Sequence, residues 1–250
     1  MTFHHGIGFA TEGGFVLASH VRSDHHRDQY IAFVLGLVSD VTVIDASGNR
    51  LACAAALVPP GIQYAVHTGD DGLTAFVHLD PFRDNGMLRV RDGSGISPVA
   101  RRRCAPVARK IDEWVLAGKD PVQRRECADA VLQHLATELI GSDLDLVVLD
   151  RRIMRCIDFV KRTDIADVSL TSAAKASSLS PSRLSHLFRR ETGRTFRDFV
   201  LHQKLVRSLR AIHHGSGFTD ASFSSGFADQ PHFSNAFRKA FGVSPSSVKR

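Results

Sequence analysis

Residues 179–200, LSPSRLSHLFRRETGRTFRDFV, decide the fold of the C-terminal part of the chain, because their pattern returns in residues 226–245, GFADQPHFSNAFRKAFGVSP. A shift of 49 residues lays Leu184 on Phe233, Ser185 on Ser234, Phe188 on Phe237, Arg189 on Arg238, Arg190 on Lys239 and Gly193 on Gly242. A shift of 48 aligns the preceding stretch, Leu170 with Phe218 and Ala173 with Ala221, so the turn of the second copy is one residue longer. Self-similarity at a fixed offset marks one supersecondary unit used twice.

Each copy reads as a short helix, a tight turn and a second helix. In the first, Leu170, Ala173 and Ala174 line a helix, Ser178-Leu179-Ser180 makes the turn with Ser180 as N-cap, and Leu184, Leu187 and Phe188 recur at helical spacing. In the second, Phe218 and Ala221 precede the Gly226-Phe227 turn, Asp229 is the cap, and Phe233, Ala236 and Phe237 face inward. Small residues at Ala173, Ala174 and Ala221 let two helices cross closely, as a helix-turn-helix requires. The outward positions are Ser182, Arg183, Ser185, His186 and Arg189 in the first copy and Gln230, His232, Ser234, Asn235 and Arg238 in the second. Side chains of this kind read base edges in a major groove, while Ser180, Arg190, Arg194 and Lys239 are placed for phosphates. Arg151, Arg152 and Arg155 read as a solvated helix face.

Between the copies, Thr195 to His214 is one periodic segment carrying Phe196, Phe199, Val200, Leu205, Leu209 and Ile212. Some 20 helical residues span about 30 Å. One turn of B-DNA is about 34 Å, so a rigid connecting helix can set both reading helices into adjacent major grooves of double-stranded DNA. Charge agrees: residues 151–250 carry 18 Lys and Arg against 7 Asp and Glu, net +11, and residues 1–150 carry 14 against 19, net −5. A basic segment beside a mildly acidic one points the C-terminal part toward a polyanion. The competing reading is a plain helical bundle whose polar faces are merely wet.

These two quoted stretches resemble the DNA-binding domain of the AraC/XylS family of bacterial transcription regulators, and they cover both helix-turn-helix units. The sequence has Ser222 and Ser225 where the family usually has small apolar residues, and Asn235 where a basic residue is common.

The N-terminal half is patterned for strands. Apolar runs at Phe15–Ala18, Tyr30–Val38, Val41–Ile44, Leu51–Val58 and Leu73–Leu79 are divided by Gly-, Pro- and Asp-rich turns, as in a β-sandwich or barrel. After Pro106 the period becomes helical: Val107, Ile111, Trp114 and Val115, then Ala128, Val131, Leu132, Leu135 and Leu139, mark two amphipathic helices that pack on the barrel or on a second copy of the chain. The stretches DHHRDQYIAFVLG (24–36), LVPPGIQYAV (57–66) and VHLDP (77–81) resemble the cupin-like effector or dimerisation domain of many members of the family. The expected fold is therefore α+β in two domains: residues 1–140 a cupin-like β-barrel with C-terminal helices, 141–149 a linker, and 150–250 an all-α domain with two helix-turn-helix units.

Metal-binding cupins carry a His-x-His pair with a glutamate, and a further histidine after the Pro-x-Gly turn. Here His25 and His26 are adjacent, no glutamate follows at the right interval, and Tyr64 stands near the place of the later histidine. Imidazoles of His25, His26, His67 and His78 on neighbouring strands can converge, and three suffice for a metal, but adjacent strand residues point to opposite faces, so only one of His25 and His26 can face inward. No metal site is expected. The scattered Cys53, Cys104, Cys127 and Cys156 form neither a disulfide framework nor a zinc motif. No nucleophile elbow, P-loop or dinucleotide turn is present, so neither catalytic residues nor a cofactor is expected. With no apolar run near the roughly 20 residues of a membrane span and no signal-peptide pattern, the sequence reads as cytoplasmic and without a membrane partner.

The function these features imply is a sequence-specific DNA-binding transcriptional regulator, controlled by a small-molecule effector or by homodimerisation through the barrel, with RNA polymerase as a partner if it activates. Tyr30 and Tyr64 are the candidate effector-pocket residues. The alternatives are a cupin metalloenzyme with an appended DNA-binding module, and a barrel that only pairs subunits.

Overall fold

Apolar runs broken by turn residues satisfy their backbone amides by pairing, and the first half of the computed structural model is accordingly made of sheets. The structure describes residues 6–10, 13–69, 72–83, 86–91, 93, 95–117, 120–140, 142–242, 244 and 245. In chain order it contains β1 (Gly6–Ala10), β2 (Gly13–Ser19), β3 (His26–Arg27), β4 (Ile31–Gly36), β5 (Val41–Asp45), β6 (Arg50–Cys53), β7 (Ala55–Val58), β8 (Gln63–His67), β9 (Leu73–Leu79), β10 (Phe82–Arg83), β11 (Gly86–Val90) and β12 (Ser97–Val99). Helices α1 (Arg101–Leu116) and α2 (Pro121–Leu139) and strand β13 (Leu144–Val148) follow. The remainder is α3 (Arg151–Arg162), a 3-10 turn (Ile165–Asp167), α4 (Leu170–Ala176), α5 (Pro181–Thr192), α6 (Phe196–His213), α7 (Phe218–Ser224) and α8 (Gln230–Phe241). These elements divide into two compact units: Phe82–Leu88 with Leu146–Phe237 form a helical unit, and the rest form a sheet unit.

In the sheet unit, strands run in the orders β1-β2-β9-β4-β7-β12 and β3-β8-β5-β6. A separate small sheet runs β10-β11-β13. Among the described residues no barrel closes, which corrects the expectation from the sequence. The edges explain it: β12 carries Pro98, which has no N–H to extend a ladder, and β3 is only two residues long. At the centre, β4 pairs with both β9 and β7, and all six of its residues are buried. Helix α2 lies against β1 and β2, and Trp114 of α1 meets Phe15 of β2 edge to face at 4.8 Å. The guanidinium of Arg124 stacks over the same indole at 4.2 Å. The helical stripes thus pack on their own unit. Val107, Ile111 and Trp114 are buried, but Val115 is 42% exposed, because one step along a helix turns a side chain about 100° away from its neighbour.

Residues read as a linker contain a strand. Leu144–Val148 pairs into the small sheet, and Leu144 is fully buried; Gly141 lies outside the described residues. The short alternation Leu-Asp-Leu-Val-Val acquires meaning only once a partner strand exists.

In the helical unit, Ile153, Cys156, Ile157 and Val160 form the inner stripe of α3 and pack with Ala173, Ala174, Leu184, Leu187, Phe188, Phe196 and Phe199. Phe82 and Met87 join this core, with Phe82 edge-on to Phe199 at 5.4 Å. Burial pushes the Cys156 thiol up to about 12, so it stays protonated and inert. The repeat is reproduced to the residue: α4 maps onto α7 by 48 positions and α5 onto α8 by 49.

Candidate nucleic-acid interface

Each reading helix is set by local chemistry at both ends. The Ser180 hydroxyl accepts from the Arg183 N–H at 3.3 Å and Pro181 opens α5; the Asp229 carboxylate accepts from the His232 N–H at 2.6 Å. Both helices stop at a glycine in the left-handed region, Gly193 with φ +75° and Gly242 with φ +70°. The turns before them also match. Ser178 at φ +56° and Gly226 at φ +78° stand at equivalent places, and only the second is a residue type at ease there. The connecting helix α6 starts at its expected cap, where the Thr195 hydroxyl accepts from the Asp198 N–H at 3.1 Å.

On α5, Leu184, Leu187 and Phe188 are buried, while Ser182, Arg183, His186 and Arg189 are exposed and Ser185 is half-buried. On α8, Phe233, Ala236 and Phe237 are buried, while Gln230, His232, Asn235 and Arg238 are exposed and Ser234 is half-buried. Of the ten residues named from the sequence as base readers, eight are thus exposed and two, Ser185 and Ser234, half-buried. The serines at the positions unusual for the family are buried. The Ser222 hydroxyl donates to the Thr219 carbonyl at 2.8 Å, which satisfies it without an outside partner.

The four phosphate candidates differ. Lys239 is exposed, and Ser180 is engaged as the N-cap. Arg190 is exposed and donates to Glu191 Oε1 at 3.0 Å, a contact between neighbours that solvent screens. Arg194 is half-buried with its guanidinium 6.0 Å over the Phe82 ring. Of the arginines read as solvated, Arg151 and Arg155 are exposed, whereas Arg152 grips Asp150 with two donors at 3.0 and 2.7 Å. That fork holds the Asp150 carboxyl at about 2.

The sheet unit holds a polar cluster that the sequence reading missed. Asp28 is buried, with its Oδ2 accepting from the Tyr64 hydroxyl and lying 3.4 Å from His78 Nε2 and 3.8 Å from His26 Nε2. Burial pushes this carboxyl up, but the charge and hydrogen bond of His78, the charge of His26 and the Tyr64 hydroxyl together outweigh it and hold the group below its ordinary range. Tyr64 is driven well upward by burial and by Asp28, so it remains a donor. His26 stacks on Tyr64 at 4.3 Å because they are register partners on β3 and β8, and His25 is exposed, as alternation requires. Tyr30 is buried as well. The available signal was the two-residue spacing of His26 and Asp28, which puts both on one side of an extended segment; their partner Tyr64 is 36 residues further on. His67, whose imidazole burial makes less basic, pairs in the strand register with Thr42, away from this cluster. Among the described residues no three His, Cys, Asp or Glu side chains are grouped to hold a metal ion.

Comparison with known proteins agrees with this geometry. Residues 173–250 match the family described as a helix-turn-helix domain. The regulator GlxA of Rhizobium meliloti is 25% identical over 70% of this chain and 54% of its own length, and the activator RhaS of Escherichia fergusonii is 30% identical over 40% of this chain and 37% of its own. The chain thus spans about half or less of these two relatives. The solved structure of ToxT from Vibrio cholerae covers 97% of this chain and 96% of ToxT with a TM-score of 0.58 at 11% identity, a likeness of fold. ToxT has also been solved with an unsaturated fatty acid bound, a structure that matches with a TM-score of 0.58 at 11% identity over 93% of this chain and 94% of that one. Residues 173–250 thus form a helix-turn-helix domain, and a β-rich region precedes it.

Proposed function

We propose that the chain is a sequence-specific DNA-binding transcriptional regulator. Residues 150–250 read duplex DNA with α5 and α8 in two adjacent major grooves, and residues 1–140 receive a small-molecule effector or pair two chains into a homodimer. The observation that carries this reading is the repeat itself: two helices in one register, each set by a cap and a glycine stop, each with its hydrogen-bonding side chains outward. Base reading is assigned to Ser182, Arg183, Ser185, His186, Arg189, Gln230, His232, Ser234, Asn235 and Arg238, and phosphate contact to Ser180, Arg190, Arg194 and Lys239. The named relatives are regulators, which supports a cytoplasmic, non-enzymatic role with RNA polymerase as partner if the protein activates. That the named relatives are regulators favours this reading over a cupin metalloenzyme with an appended DNA-binding module.

An effector site with Tyr30 and Tyr64 on its wall is proposed by analogy with the ligand-bound ToxT fold. To act, the ligand must bind the active and inactive arrangements unequally. The test is selection of genomic fragments by the purified chain at physiological salt, against excess non-specific competitor. A motif with two short blocks about one helical turn apart is expected. Replacing Arg183 or Asn235 by Ala then weakens preference at particular bases by about 1–3 kcal/mol, while Arg190→Ala or Lys239→Ala weakens binding evenly and flattens its salt dependence. Recovery of no motif, with or without extracts supplying small molecules, overturns the reading.

A further inference from the structure

Helix α6 carries two half-buried cations three residues apart, on one face, and both are bound to backbone carbonyls of other elements. Arg207 Nη2 donates to the carbonyls of Val160 at 2.9 Å and Thr163 at 2.8 Å, with Lys161 at 3.4 Å. These lie at the end of α3, where a helix leaves its last carbonyls without partners of its own. Lys204 Nζ donates to the Gly226 carbonyl at 2.6 Å, in the turn between α7 and α8.

What each cation holds is the frame of one reading helix. The inner stripe of α3 is packed against α4 and α5, so the end of α3 moves with the first copy. The Gly226 turn fixes where α8 begins. The two anchorages also meet each other: a Cβ placed on Gly226 lies 3.3 Å from the Lys204 Cε and 3.3 Å from the Ile165 Cγ2, and Ile165 is buried in the 3-10 turn just after α3. One turn of α6 thus ties the end of α3 and the second turn together.

We infer that Lys204 and Arg207 are positioning residues that fix the phase between the two reading helices, and thereby the half-site spacing that the protein accepts. The inference rests on both copies reading DNA. The two side chains act through protein carbonyls. Losing either donor leaves each reading helix intact but frees the angle between them.

The test uses the full chain and a library of operators in which the distance between the two selected blocks is varied one base pair at a time. The wild-type protein is expected to bind one spacing best; if it recovers no motif at all, the DNA-reading assignment fails first and separately. In Lys204→Met, which keeps the aliphatic stem and removes the donor, the ratio of best to next spacing is expected to fall about tenfold, with base preference inside each block unchanged. Lys204→Arg is expected to restore the ratio, and Arg207→Met to relax it as Lys204→Met does. Thermal unfolding of each variant identifies any that is not folded, and Lys204→Met, which removes one carbonyl contact where Arg207→Met removes three, decides alone if Arg207→Met fails to fold. Equal weakening at every spacing, or an unchanged spacing ratio in folded Lys204→Met, overturns the inference, because lost charge or lost stability lowers all spacings together.

Discussion

On the first reading helix the outward places carry Ser182, Arg183, Ser185, His186 and Arg189; the same places on the second carry Pro231, His232, Ser234, Asn235 and Arg238. Beneath them the two copies agree, with Leu184 facing Phe233 in the alignment, Phe188 facing Phe237, and a left-handed glycine closing each helix. The inner positions are held to a size and shape by the crossing of two helices, whereas an outer position answers only to what it touches. On the DNA-reading assignment, two copies of one scaffold then present different hydrogen-bonding patterns, so a single chain reads two unlike blocks and has a direction on its operator. The turns differ in the same sense. Ser178 holds in the first copy, under strain, the conformation that Gly226 holds freely in the second.

The largest test of this equivalence is in the core. Phe188→Ala and Phe237→Ala should each cost about 3–5 kcal/mol in denaturant unfolding followed by circular dichroism, since both rings are buried. If one substitution splits off a separate early transition and the other does not, the copies are not energetically alike.

A perturbation at a residue outside the repeat adds a second contrast. Asp28→Asn, in the sheet unit, should cost about 1–3 kcal/mol at neutral pH, because a buried charge-assisted hydrogen bond is lost. The folded carboxyl is held below its ordinary value of 3.8, so its contribution is present above that value and is lost as pH falls through the lower folded one. Thermal melts across that acid range should fall less steeply for Asp28→Asn than for the wild type, and an unchanged slope would remove Asp28 from the account of acid sensitivity.

Exchanging outer residues tests the division of labour directly. Arg183→His with His186→Asn gives the first helix the second helix's side chains at two places, and should move its base preference toward that of the second block, at a loss of about 1–3 kcal/mol on the original site in competition binding. Smallest is the exchange of turns. Gly226→Ser should cost about 1–2 kcal/mol of thermal stability, and Ser178→Gly should gain about 0.5 kcal/mol, the relief of left-handed strain being partly offset by a freer unfolded chain.

The helical part was legible because its signals are local: Ser180, Asp229 and Thr195 cap the helices that follow them, and Gly193 and Gly242 stop two of them. The repeat supplied the register. What was hidden depended on distant partners. The strand Leu144–Val148 takes shape only against its neighbour in the small sheet, and the closure expected of the barrel failed at edges whose length no motif announces. Asp28 looks like an ordinary turn carboxylate until Tyr64 and His78 meet it. Lys204 and Arg207 look like solvated positions on a basic helix, since a backbone carbonyl leaves no mark in the sequence of its partner.

Cys156 sits in the middle of the first copy's core, is the only cysteine in the helical unit, and has a thiol that burial keeps protonated. Its alkylation must wait for that core to open. The unmodified protein therefore contains its own clock: the rate at which a neutral thiol reagent labels Cys156, divided by the rate in denaturant, gives the opening equilibrium of the first copy's core. On the DNA-reading assignment, operator DNA added at saturation should slow that clock by the factor with which binding favours the closed state, so affinity can be read from a native cysteine with no dye or tag.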